Sequence, residues 1–290
     1  MTQVELIVDA RAGTGEGPVW DERTRKLVWV DIPGCAVHHY DPDTGADLAI
    51  DLGDRMPGCI LIRDSGGYAV GTQHGFFGMS DSNILTEICA IEADDPVTRM
   101  NDGKCDRAGR IWAGTMAHAE NAPGAGKFYR IDPDHSVTTI LDSVTISNGT
   151  DWSLDNSLMY YIDTPTQNID VFDFDFESGV ATNRRPLVQV EEGMWPDGMT
   201  VDVEGNLWLA LYGGSAVRCY SPAGSLMEVI EMPASQITSV AFGGDDYMDL
   251  YITSSAKNLS PAELDAETGP GGLFVCRPGV KGRPAATFAG

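Results

Sequence analysis

Four side chains that end in oxygen, Glu16, Asn101, Asn148 and Asp197, each sit one or two residues ahead of a glycine. Hard divalent cations such as Ca²⁺ take carboxylate, amide and water oxygens. Two carboxylates with two amides would balance a 2+ ion without stranding surplus negative charge, which is costly when buried and unpaired. Without an ion, Glu16 and Asp197 would repel each other, and one would hold its proton. Asn-Gly and Asp-Gly also mark tight turns, so any one of these sites taken alone reads as a turn. Glu16 is not a favoured turn residue. The question is whether the chain brings all four together.

A repeat running through the whole chain does so. Short second strands recur as Leu27-Val28-Trp29-Val30, Tyr68-Ala69-Val70, Ile111-Trp112-Ala113, Tyr160-Tyr161-Ile162, Leu207-Trp208-Leu209 and Leu250-Tyr251-Ile252, spaced 40 to 49 residues apart. Turns that open on Asp21, Asp64, Asp106, Asp155 and Asp202 precede five of them, as hairpin steric preferences demand. Third strands follow and run into turns such as Asp41-Pro42-Asp43-Thr44-Gly45 and Ser221-Pro222-Ala223-Gly224. Four antiparallel strands in units of this length are the mark of a propeller blade. Six copies predict an all-β, six-bladed β-propeller with a central channel, occupying residues 1–290 as one domain. Val4–Val8 is a spare strand expected to complete the last blade, and closure removes exposed sheet edges. Helix has room only around Pro261–Asp265.

Equivalent positions in a propeller fall on one ring, because every first strand lines the channel and starts at the same rim. Glu16, Asn101, Asn148 and Asp197 lie 11 or 13 residues ahead of Trp29, Trp112, Tyr161 and Trp208. They are therefore expected just before the first strands, together at the channel mouth. The ring holds no His or Cys, which argues against a dedicated zinc cage.

Composition narrows the partners. The 290 residues carry 43 acidic and 19 basic side chains, a formal net charge of −24, so nucleic acid and anionic membrane are excluded as partners. An Asp-rich surface of this kind also suits a salt-adapted host. No apolar run approaches the ~20 residues of a membrane span, and the first residues lack the basic flank of a signal peptide. The expectation is a cytoplasmic protein, a monomer or weak oligomer, whose six dispersed cysteines are reduced. Gly13-Thr14-Gly15-Glu16-Gly17 is not a dinucleotide fingerprint, because a strand follows it instead of a helix. Asp173-Phe174-Asp175-Phe176-Glu177 lacks EF-hand spacing, and a Gly-x-Ser-x-Gly elbow does not occur.

Gly15-Glu16-Gly17-Pro18, Arg99-Met100-Asn101-Asp102-Gly103-Lys104, Ile146-Ser147-Asn148-Gly149, Asp163 and Pro196-Asp197-Gly198-Met199, in this order, resemble the SMP-30/gluconolactonase/luciferin-regenerating-enzyme family over nearly the whole chain. The resemblance implies a divalent cation held by Glu16, Asn148 and Asp197. It also implies sugar contacts from Arg99 and Asn101, and Asp197 as proton acceptor and donor. The implied activity is hydrolysis of a small-molecule sugar lactone, such as a glucono-, xylono- or arabinonolactone, to its aldonic acid. Ca²⁺ is the first choice of ion, with Zn²⁺, Mn²⁺ or Mg²⁺ as alternatives. Two other functions stay open: calcium-dependent phosphoester or organophosphate hydrolysis, and a calcium-binding propeller without turnover. The chain departs from animal members after Met116-Ala117, where His118-Ala119-Glu120 replaces paired acidic residues. A loop over the mouth is expected there, with no role assigned to His118, Glu120 or His74.

Overall fold

In a computed structural model, residues 2–119 and 122–290 are described. Six four-stranded antiparallel sheets form the ring. Their inner strands are Gly15–Asp21, Cys59–Ile62, Thr98–Cys105, Ser147–Trp152, Trp195–Val201 and Ile237–Gly243, defining blades one to six in chain order. Val4–Val8 pairs antiparallel with Leu273–Cys276 and becomes the outermost strand of blade six, so the two ends of the chain close the ring as expected. The α-helix Pro261–Ala266 is capped reciprocally by Ser260 and Glu263, with proline in its first turn. Among the described residues no helix is long and apolar enough to cross a membrane.

The core is divided among the gaps between blades. Each of six apolar clusters is shared by consecutive blades, for example Trp112, Trp152, Tyr161 and Phe174 between blades three and four. The recurrent second-strand aromatics Trp29, Trp112, Tyr161, Trp208 and Tyr251 are all at most 2 % exposed. They reach across the gaps: Trp208 meets Phe242 edge-on at 5.9 Å, and Tyr251 stacks on Trp20 at 6.0 Å. The repeat therefore records packing between neighbours, and each blade is stable only in company.

The turn aspartates do more than make turns. Asp106 and Asp202 are buried, and each accepts backbone N–H groups of its own turn together with the indole N–H of Trp112 or Trp208, at 2.8 and 2.9 Å. One carboxylate thus fixes a turn and orients the aromatic that packs on the next blade. All six cysteines are unpaired; five are buried and Cys35 is partly so.

The tail after Cys276 crosses the end of the channel remote from the mouth. Arg283 donates to Asp151 Oδ1, Trp152 O and Val201 O, and Lys104 donates to Asp151 Oδ2 from the other side. Phe288 is fully buried and its backbone bonds to Ile62 and Asp64. A cavity of about 90 Å³ remains inside the channel, with Asp102, Lys104, Asp151 and Arg283 in its wall.

Candidate functional site

Glu16, Arg99, Asn101, Asn148 and Asp197 are brought together at the mouth, and each is 5–8 % exposed. They lie inside the inner strands, where the expectation was the residues just ahead of them. Glu16 and Asn148 are second in their strands, Asp197 third and Asn101 fourth. The reason is a shift of register at each place: pairing with the second strand slips between Glu16 and Val19, Met100 and Gly103, Asn148 and Thr150, and Pro196 and Met199. A bulge of this kind re-aims side chains while the strand continues. Gly17 takes φ +53 within its bulge, a conformation glycine adopts freely. A Cβ on Gly149 would stand 2.7 Å from Asp197 O, so glycine lets blades four and five approach.

Two aspartates that end second strands anchor the approach to the site. Asp163 accepts from the N–H groups of Thr145 and Ile146, just ahead of Asn148. Asp31 accepts from Thr14 N–H, just ahead of Glu16.

A directional relay then ties three blades together. Arg99 Nη1 donates to Asn101 Oδ1 at 2.8 Å. Asn101 Nδ2 donates to Asn148 Oδ1 at 3.1 Å and to Ser147 O at 2.7 Å. Asn148 Nδ2 donates to Thr164 Oγ1 at 2.7 Å, and Thr164 donates to Pro196 O at 2.8 Å. The chain ends beside Asp197. Both amide groups are thereby oriented, and Asn148 Oδ1 keeps a second lone pair.

The acidic half of the site is under tension. Burial first, and then the nearby charge of Asp102, pushes the Glu16 carboxyl up to about 8, against the pull of Gly17 N–H, Arg99 and a hydrogen bond with Asp197. Asp197 is held well above the usual carboxylate range by burial and then by Glu16 and Asp102. Its Oδ1 is buried without a donor of its own. Asp102 is likewise raised by burial, with Lys104 and Gly103 opposing. Three buried carboxyls thus face one another with the charges of Arg99 and Lys104 opposing them, so each keeps a raised pKa. Among the described residues no group of three or more His, Cys, Asp and Glu side chains is set to hold a metal; here amides complete the oxygen set.

Other residues singled out in the sequence fall elsewhere. Arg99 turns inward to Asn101 and to Met116 Sδ. His118 is exposed at the mouth end of Ile111–Ala117, and partial burial together with Arg99 lowers its pKa. His74 is exposed on the blade-two hairpin, 3.4 Å from Ala93 O. His38 is buried, stacked on Trp29 and bonded to Asp47. Glu120, with Asn121 of the expected loop, lies outside the described residues. Thr164 and Asp102 were not picked out as site residues. Asp102 stood in the quoted motif as a turn residue, and Thr164 follows Asp163 where blade one has Ile32 after Asp31, so the repeat gives no hydroxyl signal there.

The fold and site define a closed propeller with a buried group of oxygen-bearing side chains at one mouth. The family described as the SMP-30/Gluconolactonase/LRE-like region matches residues 14–256, and the chain belongs to that family. Regucalcin of Oryctolagus cuniculus is 38 % identical over 298 residues, covering 99 % of each chain. Among solved structures, a luciferin-regenerating enzyme superposes with a TM-score of 0.92 at 30 % identity over all of both chains. A calcium-binding protein, regucalcin, from Agrobacterium tumefaciens gives 0.94 at 26 % identity, covering 99 % of this chain and 97 % of its own.

Proposed function

We propose that the chain is a metal-dependent lactonase that opens an aldonolactone to its aldonic acid. The observation that carries this reading is Asp197 Oδ1, buried without a donor beside the equally buried carboxyl of Glu16. Glu16, Asn148 and Asp197 would hold the ion. Two carboxylates and an amide, with no His or Cys, suit Ca²⁺ before Zn²⁺, and admit Mn²⁺ or Mg²⁺. A bound divalent cation would polarise the lactone carbonyl and stabilise the charge that develops on its oxygen.

The remaining work belongs to side chains. Asp197 takes a proton from the attacking water and returns it to the ring oxygen as the C–O bond breaks. Arg99 presents a rigid fork of donors to sugar hydroxyls and to the nascent carboxylate. Asn101, fixed by Arg99 and by Ser147 O, holds its amide in one orientation toward Asn148 and the substrate. Burial of the site excludes bulk water and strengthens each of these interactions.

A second reading, a calcium-binding propeller without turnover, is favoured by relatives that carry the name regucalcin, one of them described as a calcium-binding protein. A pH-stat assay across glucono-, xylono- and arabinonolactone and an organophosphate, with and without EDTA, separates the functions. EDTA-sensitive acid release from the sugar lactones is expected. Calcium uptake without acid release from any of them would leave the second reading, and release from the organophosphate alone would point to phosphoester hydrolysis.

A further inference from the structure

Five of the six tryptophans are 0–3 % exposed, whereas Trp195 is 39 % exposed. It opens the inner strand of blade five, at the mouth, two residues before Asp197. Its backbone pairs with Tyr212, and Tyr212 in turn bridges to Gln236, immediately ahead of the blade-six inner strand. The indole edge borders the hairpin at Gly213, where a Cβ would stand 3.8 Å from Trp195 Cδ1. Gln236 is 9 % exposed, yet its Oε1 is buried with no donor. Buried acceptors are nearly always paired, and an orphan of this kind marks a place that expects a partner.

These two features sit on the side of the mouth facing away from blade three, which supplies Arg99 and Asn101. One side of the mouth is thus rich in donors, and the other offers an aromatic face and an unsatisfied acceptor. A polyhydroxylated ring matches both at once. Its C–H face is apolar enough to lie on an indole, and its hydroxyls are donors for an amide oxygen. A phosphoester triester offers acceptors only and would leave Gln236 Oε1 unmatched, and a site built to bond a hydroxyl discriminates strongly against ligands lacking one.

We propose that Trp195 and Gln236 form the subsite that selects a polyhydroxylated lactone, with the indole under the sugar ring and the Gln236 amide turning out of its buried position to accept from a ring hydroxyl. This rests on the lactonase reading for its kinetics but not for its binding. Because the other tryptophans are buried, acrylamide quenching of the intrinsic fluorescence reports mainly Trp195, and saturating gluconate with Ca²⁺ present is expected to shield it. With gluconolactone, Trp195→Ala and Gln236→Leu are expected to raise KM about 5–10-fold with kcat within about twofold, as loss of one stacking or hydrogen-bond contact implies. Trp195→Phe is expected to recover most of the loss. The KM for unsubstituted δ-valerolactone is expected to stay put in Gln236→Leu, since that ring has no hydroxyl to donate, and to rise in Trp195→Ala, since its C–H face would also lie on the indole; thermal unfolding verifies that each variant is folded. Equal KM changes for both lactones in Gln236→Leu, or no shielding by gluconate, would overturn the subsite. Shielding without hydrolysis of any lactone would support the subsite and remove the lactonase reading, whereas hydrolysis with neither shielding nor a KM shift would do the reverse.

Discussion

Chelating the protein should make its stability fall as pH rises through the neutral range. Glu16 ordinarily titrates near 4.5 and is pushed up to about 8 by burial and by Asp102. A carboxyl whose folded pKa lies above its unfolded one binds more protons when folded. Its contribution is therefore fully present below the unfolded pKa and is lost as pH rises through the folded one. The window runs from about 4.5 to about 8. At ~1.4 kcal/mol per pH unit, Glu16 alone sets a ceiling on the order of 5 kcal/mol across it. A chain of this size loses ~2–4 °C per kcal/mol, so the melting temperature should drop by an amount on the order of 10 °C. Asp197, Asp102 and Asp163 are raised as well and act with the same sign. Asp21 and Asp151 are lowered, so their effects fall at acid pH, outside the window. The assay is differential scanning calorimetry with EDTA at pH 5, 6, 7 and 8, repeated with excess Ca²⁺, which should abolish the trend by pairing both carboxylates. Glu16→Gln removes one of the titrating groups and should make the chelated curve shallower, leaving the slope that Asp197, Asp102 and Asp163 supply; general repulsion at a net charge of −24 would leave the slope nearly unchanged. A chelated melting temperature that is flat or rising from pH 5 to 8 would refute the picture of buried acid awaiting a cation.

Asp197→Asn should lower lactone hydrolysis by at least ~100-fold in the pH-stat assay while leaving the circular dichroism spectrum unchanged. Thr164→Val should weaken Ca²⁺ binding in isothermal titration by ~10-fold, because it cuts the relay between Asn148 and Pro196 O while leaving every proposed ligand in the chain. Asp106→Ala should cost ~3–5 kcal/mol in guanidinium unfolding, because it strands the buried Arg110 and frees the Trp112 indole. If the acidic surface is a salt adaptation, molar KCl should raise the melting temperature, and indifference to KCl would remove that idea.

The ring was readable because its repeat is a packing signal. Trp29, Trp112, Tyr161, Trp208 and Tyr251 recur in the sequence for the reason that each is needed between two blades. The same phase located Glu16, Asn101, Asn148 and Asp197 on one rim, since a shared position in the repeat is a shared height on the axis. What escaped depends on pairing that no single strand states. The bulges that carry these residues inside their strands are properties of register between two strands. Thr164 and Gln236 belong to single blades, so no periodicity points to them. Arg283 and Phe288 lie beyond the last repeat, and nothing local says that they cross the channel.

The parts that were legible and those that were not meet at the closure of the ring. Glu16 belongs to blade one and Asp197 to blade five, and blade six stands between them. Blade six is completed by Val4–Val8 and grips blade one where Thr238 Oγ1 donates to Gly15 O at 2.6 Å, next to Glu16. The two carboxylates are therefore set against each other by the strand that joins the ends of the chain, while the amides are set by the relay through blades three and four. Repulsion between buried carboxylates works against closure, and a cation drawn between them works for it. On the proposed reading, ion binding and ring closure would be one equilibrium, and a site assembled from four blades would cost the fold less with an ion bound.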